Sequence, residues 1–116
     1  MSRALEDIAA ERRRQIEKEG WSPERDDIEH IGGVLAQAAA CYASPIITTA
    51  TIIFDGEGVH ISDESREVSN LEIPTNWPWD QGWWKPSDRR RNLVKAGALI
   101  IAEIERLDRL EKPATE

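Results

Sequence analysis

The rhythm of apolar positions changes several times along the chain. In the opening SRALEDIAAERRRQIEKEG, Leu5, Ile8, Ala9, Arg12 and Ile16 fall on one helical face and Gly20 supplies a stop, which predicts a helix over about residues 3–19. WSPERDDIEH follows. Ser22 before Pro23 has the arrangement of an N-cap and a first helical residue, so a short turn is expected inside a polar connector. In GGVLAQAAACYA, residues 32–43, Val34, Leu35, Ala38, Ala39 and Tyr42 share a face and small residues surround most of the circumference. This second helix should be buried and closely packed. Ser44-Pro45 ends it. IITTATIIF then switches to β-branched enrichment, and DGEG and VHIS complete a hairpin over about 46–61 that turns at Asp55 to Gly58.

Residues 62–76 are polar without a clear period and read as a loop. They lead into NWPWDQGWWKP, residues 76–86, a connector that holds four of the chain's five tryptophans. Pro74, Pro78 and Pro86 keep this stretch non-helical. Ser87 or Asp88 then caps a third helix running to about Leu110, with a stripe Leu93, Gly97, Ile100, Ile104, Leu107 that steps by four and three. Gly97 inside that helix costs about 1 kcal/mol relative to alanine, which points to a close helix crossing or a dimer contact. The expected fold class is mainly α with a small antiparallel β element. It is a three-helix scaffold with an inserted hairpin, a single domain over residues 1–116 with a loosely ordered tail EKPATE.

Composition narrows the partners. The 15 Lys and Arg stand against 22 Asp and Glu, and the formal net charge of −7 opposes attraction to duplex nucleic acid or an anionic membrane. A small phosphorylated ligand can still sit in a local basic pocket. Cys41 is the one cysteine, so an intrachain disulfide and multi-cysteine zinc patterns are excluded; a reducing cytoplasm fits. No stretch has the length of a membrane span, and the charged N-terminus lacks the apolar region of a signal peptide.

Four groups of residues are candidates for chemistry. Large rings on a proline-rich connector can simply anchor it to adjacent helices, the reading that suits Trp77 and Trp79. Trp83 and Trp84 are adjacent, and neighbours in an extended segment point to opposite sides, so one of them is expected to face a ligand or a partner. With Trp21 it would form two sides of a stacking slot; base–aromatic stacking contributes roughly 1–3 kcal/mol. Arg89, Arg90 and Arg91 occupy the start of the third helix, where the dipole is positive; either a bound anion or acidic neighbours such as Asp88 must offset them. Gly32-Gly33 is either an open phosphate seat at a helix start or a flexible turn. Metal-dependent hydrolysis needs carboxylates on facing helices. The third helix offers Glu103, Glu105 and Asp108, but the second has none, Glu64 and Glu67 fall in the expected loop, and Glu24, Asp26, Asp27, Glu29 and His30 read as a surface cluster. His30 and His60 are isolated, and no nucleophile with an oriented base is evident. No catalytic residue, metal or cofactor is expected.

The blocks ERRRQIEKEGWSPERDDIEH, LAQAAACYA and WPWDQGWWKPSDRRRNLVKAGALIIAEIERLDR cover a little over half the chain and resemble a group of small phage and prophage proteins. Within that group the chain is similar to the Thoeris anti-defence sponge proteins, which sequester cyclic ADP-ribose signals. The resemblance implies a non-catalytic phage anti-defence protein in the cytoplasm of an infected bacterium. It implies a homo-oligomer, at least a dimer and up to a hexamer, that captures cyclic ADP-ribose isomers or cyclic oligonucleotides at subunit contacts. Carried over by position, Trp21 and Trp84 would stack on the base, Asn92 would bond ribose or base, and Arg109 would meet phosphate. With Trp83, Arg89 and Arg91 from the residue-level reading, these form the expected binding set, and Trp84→Ala should weaken binding without unfolding the chain. The hairpin has no counterpart in the resemblance.

Two other readings stand beside this one. The first helix and LAQAAA also resemble the all-helical nucleoside triphosphate pyrophosphohydrolases of the MazG type, whose Glu-x-x-Glu and Glu-x-x-Asp helices hold magnesium. Here Glu105 and Asp108 match the second motif, while Val34 and its neighbours leave the first empty. The third reading is an acidic inhibitor of a host defence complex, with tryptophans as contact anchors.

Overall fold

The computed structural model describes residues 2–44, 46–67 and 72–111. It is mainly helical with one antiparallel hairpin, as expected, but it contains four helices among the described residues rather than three. Helix α1, Arg3–Lys18, starts at Ser2, whose Oγ accepts the Leu5 N–H at 3.2 Å. Glu6 in its first turn and Lys18 in its last complement the helix dipole. The connector after Gly20 is the extra element, α2, Pro23–Glu29. Ser22 Oγ accepts the Arg25 N–H at 3.2 Å, and Pro23 loses nothing at a position whose N–H has no helical partner. The N-cap signal was therefore the start of a two-turn helix rather than of an isolated turn.

Helix α3, Val34–Ala43, follows Gly32 and Gly33, whose φ values of 76° and 81° lie in the left-handed region that suits glycine. Strands β1, Ile46–Asp55, and β2, Gly58–Glu67, pair with Ile52 opposite Ile61 and Phe54 opposite Val59. Asp55 Oδ1 accepts the Glu57 N–H at 2.7 Å in the turn. The expectation of a loop from residue 62 is corrected, because β2 runs to Glu67. SDESRE has no apolar alternation, but backbone pairing to β1 does not require one. Within the connector, Gln81–Trp83 form a single 3₁₀ turn. Helix α4, Arg89–Glu111, is capped by Asp88, whose Oδ1 accepts the Arg91 N–H at 2.9 Å. From residue 112 the expected loose tail lies outside the described residues. No described helix is long and apolar enough to cross a membrane.

The core lies between α3 and α4 and is closed by the tryptophan connector. Leu35, Ala38, Ala39, Cys41 and Tyr42 meet Ala96, Leu99 and Ala102, with Trp21 and Trp84 at the edges. Alanine against alanine lets two helices approach closely, and this decides which face of α4 turns inward. The stripe Leu93, Ile100, Ile104, Leu107 is not the buried one: these side chains remain 43–52% exposed. Gly97 marks the α1–α4 crossing, where an added Cβ would lie 2.9 Å from Ile8 Cδ1.

Candidate functional site

Several tryptophans converge through contacts made by α1 and α2. Arg12, nearly buried, reaches from α1 to Asp26 Oδ2 at 3.2 Å and to the Trp21 carbonyl at 3.4 Å, and its Nε meets Glu105 of α4 at 3.1 Å. Asp26 is fully buried, and its other oxygen lies 2.6 Å from His30 Nδ1. A carboxylate only accepts, so this contact puts a proton on Nδ1 and leaves Nε2 as the nitrogen not bonded to Asp26. His30 is 6% exposed, which corrects its reading as a surface residue. Its ring lies 5.8 Å from Trp21, edge-on, and 5.1 Å from Trp79.

From the other side the connector delivers Trp79 and Trp83. The 3₁₀ turn places Trp83 N–H on the Asp80 carbonyl and Trp84 N–H on Gln81, both at 3.0 Å. Trp21 contacts Trp79 at 5.1 Å and Trp83 at 5.6 Å, with interplanar angles of 53° and 44°. These rings and His30 wall a cavity of about 270 Å³, whose remaining lining is Arg25, Glu29 and Asp80. Arg25 Nε donates to Glu29 at 2.5 Å across the half-buried to exposed side of the mouth. Tilted walls of this kind offer the flat face of one ring to a planar ligand, with the others as edges.

Trp83 and Trp84 do part company as neighbours were expected to. Trp84 is the one that goes into the core: it is 9% exposed, stacks on Tyr42 at 4.7 Å and 28°, and donates from Nε1 to the Glu72 carbonyl at 3.0 Å. Of the seven residues expected to bind ligand, the structure brings Trp21 and Trp83 together in the cavity. The other five hold the scaffold. Arg89 donates to the Ala43 carbonyl, capping α3, and Arg91 pairs with buried Glu11. Asn92 accepts from Ser87 N–H at 2.7 Å and donates to its carbonyl at 3.2 Å. Arg109 forks onto Asp27 at 2.8–3.1 Å and donates to the Pro23 carbonyl at 3.2 Å. Arg90, between them, reaches Asp7 at 2.8 Å.

These pairings set the local electrostatics. Burial pushes the Glu11 carboxyl up, but the hydrogen bonds and charges of Arg14 and Arg91 outweigh it and hold the group below the ordinary glutamate range. The hydrogen bond from Arg109 likewise holds Asp27 low. Burial lowers Lys95, beside Tyr42, with Arg91 adding repulsion.

Two of the carboxylates considered for magnesium are similarly engaged. Glu103 pairs with Arg106 at 2.6 Å and Glu105 with Arg12, while Glu64 and Glu67 lie in β2 instead of a loop. Among the described residues no group of three or more His, Cys, Asp or Glu could hold a metal ion. Trp79, His30, Arg25, Glu29 and Asp80 are the cavity residues outside the expected binding set. Asp26 and His30 stand four apart in DDIEH, a spacing that pairs them on any helix, and that signal was available.

No protein-family model, curated protein or solved structure matches the chain.

Proposed function

We propose that this protein is a capture module for a small base-bearing ligand of the cyclic nucleotide class, held without turnover, and that it acts as a phage anti-defence protein in the bacterial cytoplasm. The observation that carries the reading is the convergence of Trp21, Trp79, Trp83 and His30 on one 270 Å³ cavity. A cavity near the lower end of the range for ligand sites suits a base, with sugar and phosphate projecting past the mouth. Stacking on one indole face supplies roughly 1–3 kcal/mol, and His30 Nε2, fixed by Asp26, accepts a hydrogen bond from an amino or imino group of the base. At the mouth, a phosphate would draw Arg25 from Glu29, exchanging one anionic partner for another.

The Asp26–His30 pair favours a second reading, in which the captured ligand is hydrolysed. A histidine held in one tautomer by a buried carboxylate is arranged as a general base. Nε2 would take a proton from a water whose oxygen attacks phosphorus; the P–O bond to the leaving ribose oxygen breaks, and the imidazolium returns the proton to that oxygen.

One experiment separates these readings. The purified chain is incubated with cyclic ADP-ribose isomers, cyclic oligonucleotides, and nucleoside triphosphates with magnesium, and each free pool is followed by chromatography before and after heat denaturation. Capture predicts loss from the free pool and intact recovery on heating, with affinity reduced roughly 5- to 150-fold in Trp79→Leu, the equivalent of losing 1–3 kcal/mol of stacking. A linearised product that is absent with His30→Gln supports hydrolysis instead. Conversion of triphosphates to monophosphates and pyrophosphate supports the MazG-type activity. If every ligand stays free and unchanged, the cavity does not serve this class and the protein-inhibitor reading replaces capture.

A further inference from the structure

We infer that the base this cavity takes is a cation, a ring alkylated or glycosylated at a ring nitrogen such as a purinium or a pyridinium, and not a neutral base. The inference rests on the base-capture reading above and adds to it the charge of the ring. Stacking alone does not select charge, because every base has a π-face to offer an indole. The indole faces do select it: the ring quadrupole is negative at the face, and a cation within about 6 Å of a Trp centroid is attracted more strongly than over Tyr or Phe. Three of the cavity walls are indoles. Trp79 and Trp83 lie 5.1 and 5.6 Å from Trp21 with tilts of 53° and 44°, so the rings turn about one volume instead of lying flat on one another. Trp83 already makes a cation contact inside the chain, since Lys85 Nζ lies 5.3 Å from its centroid. Among the described residues no lysine or arginine does the same over Trp21 or Trp79.

The charged part of the lining selects the same sign. Arg25, Glu29 and Asp80 complete it, two carboxylates against one guanidinium. Glu29 is joined to Arg25 at 2.5 Å. Asp80 opens the 3₁₀ turn without a capping hydrogen bond from its side chain, and it is exposed beside the cavity. The layer beneath repeats the imbalance, because the single guanidinium of Arg12 serves both Asp26 and Glu105. A net charge of −7 adds to the same potential. The phosphate of the ligand sharpens the selection. Once phosphate draws Arg25 from Glu29, that carboxylate has lost its cation, and a positively charged ring takes the place of the guanidinium where a neutral ring would not. Glu29 and Asp80 are exposed, so each adds modestly, and the indole faces set most of the preference.

The test is isothermal titration calorimetry of the full chain with probe pairs that differ in ring charge. One pair is oxidised and reduced nicotinamide mononucleotide, a pyridinium against a neutral dihydropyridine. The other is 1-methyladenosine monophosphate, below neutral pH where its ring is protonated, against adenosine monophosphate. In each pair the cation is expected to bind at least about fivefold tighter, the size of a cation–π contact at a partly exposed site. Glu29→Gln combined with Asp80→Asn should narrow that ratio, with thermal unfolding as the check that the double variant keeps its fold; the ratios of the unaltered chain decide the matter by themselves. Equal affinities within both pairs, or tighter binding of the neutral members, would overturn the charge inference and leave base capture standing. No binding by any of the four would overturn both, because the cavity would then stack no base. Choline, a cation without a ring, is the control for charge alone: tighter binding than either ring cation would assign the cavity to a quaternary ammonium and overturn the base.

Discussion

Replacing Trp84 with alanine should cost this domain about 3–5 kcal/mol, although the sequence alone made the residue a candidate for ligand contact. The indole is nearly buried, lies on Tyr42 at 4.7 Å, meets Trp77 edge-on at 5.0 Å, and satisfies the Glu72 carbonyl. Removing a buried ring of this size typically costs 3–5 kcal/mol, and the lost stacking and hydrogen bond place Trp84 toward the upper part of that range. Total stabilities of small domains are only about 5–15 kcal/mol, so the variant should be marginal. With a urea m value of about 2 kcal/mol/M, the unfolding midpoint should fall by about 2 M. Far-UV circular dichroism is the appropriate readout because it does not depend on the deleted fluorophore. Trp79→Ala is the comparison; that ring is only partly buried and walls the cavity, so its stability cost should be about half as large while its effect on capture should be the greater. A loss below about 1 kcal/mol for Trp84→Ala, with folding retained and ligand affinity reduced, would refute the core assignment and return Trp84 to the binding set.

Two further predictions concern α1. Glu11 is held low in the folded chain, so as pH falls the unfolded state takes up the proton first; the stabilisation from this carboxylate is complete above its ordinary value of about 4.3 and is lost as pH drops through the lower folded value. Urea midpoints measured from pH 7 to pH 3 should therefore be flat down to about pH 5 and then fall, with a shallower fall in Glu11→Gln; an unchanged slope would show that Glu11 is not linked to folding. At the α1–α4 crossing, Gly97→Ala gains up to about 1 kcal/mol in helix propensity but forces Ile8 aside, an overpacking cost of about 1–3 kcal/mol. The single variant should lose about 1 kcal/mol net, and in an Ile8→Ala background the same change should stabilise; additive effects would mean that the two side chains do not meet.

The legible part of the fold was the part written in local chemistry. Ser2, Ser22 and Asp88 each cap a helix where a short polar side chain precedes one, and the glycines at 32 and 33 open α3 with positive φ. What escaped was tertiary choice. The most conspicuous apolar stripe of α4 carries no signal for which way it faces: α3 presents alanines, and the face of α4 that fits them is itself built of Ala96, Ala98 and Ala102 with Leu99 between. Large side chains were the wrong shape for that crossing and stayed outside. The cavity was half legible. Trp21 and Trp83 were identified, but Trp79 was taken for an anchor and His30 for a surface residue, because nothing local announces that Asp26 will be fully buried beneath Arg12.

The arginines at the start of α4 show which of the two offsets, a bound anion or groups of the chain itself, the fold supplies. Three cations against a positive helix end do require negative charge or carbonyl dipoles nearby, and the requirement is met inside the chain. Asp7 takes Arg90, Glu11 takes Arg91, and the exposed carbonyl of Ala43, at the negative end of α3, takes Arg89. Each contact joins α4 to another helix, so the same conflict that suggested an anion site fixes how α1 and α3 dock on the spine. Arg109 repeats the logic at the far end, tying α4 to α2 through Asp27 and the Pro23 carbonyl. In the proposed capture, recognition falls to groups that line the cavity: the indoles of Trp21, Trp79 and Trp83, and Nε2 of a histidine whose other nitrogen is held by Asp26.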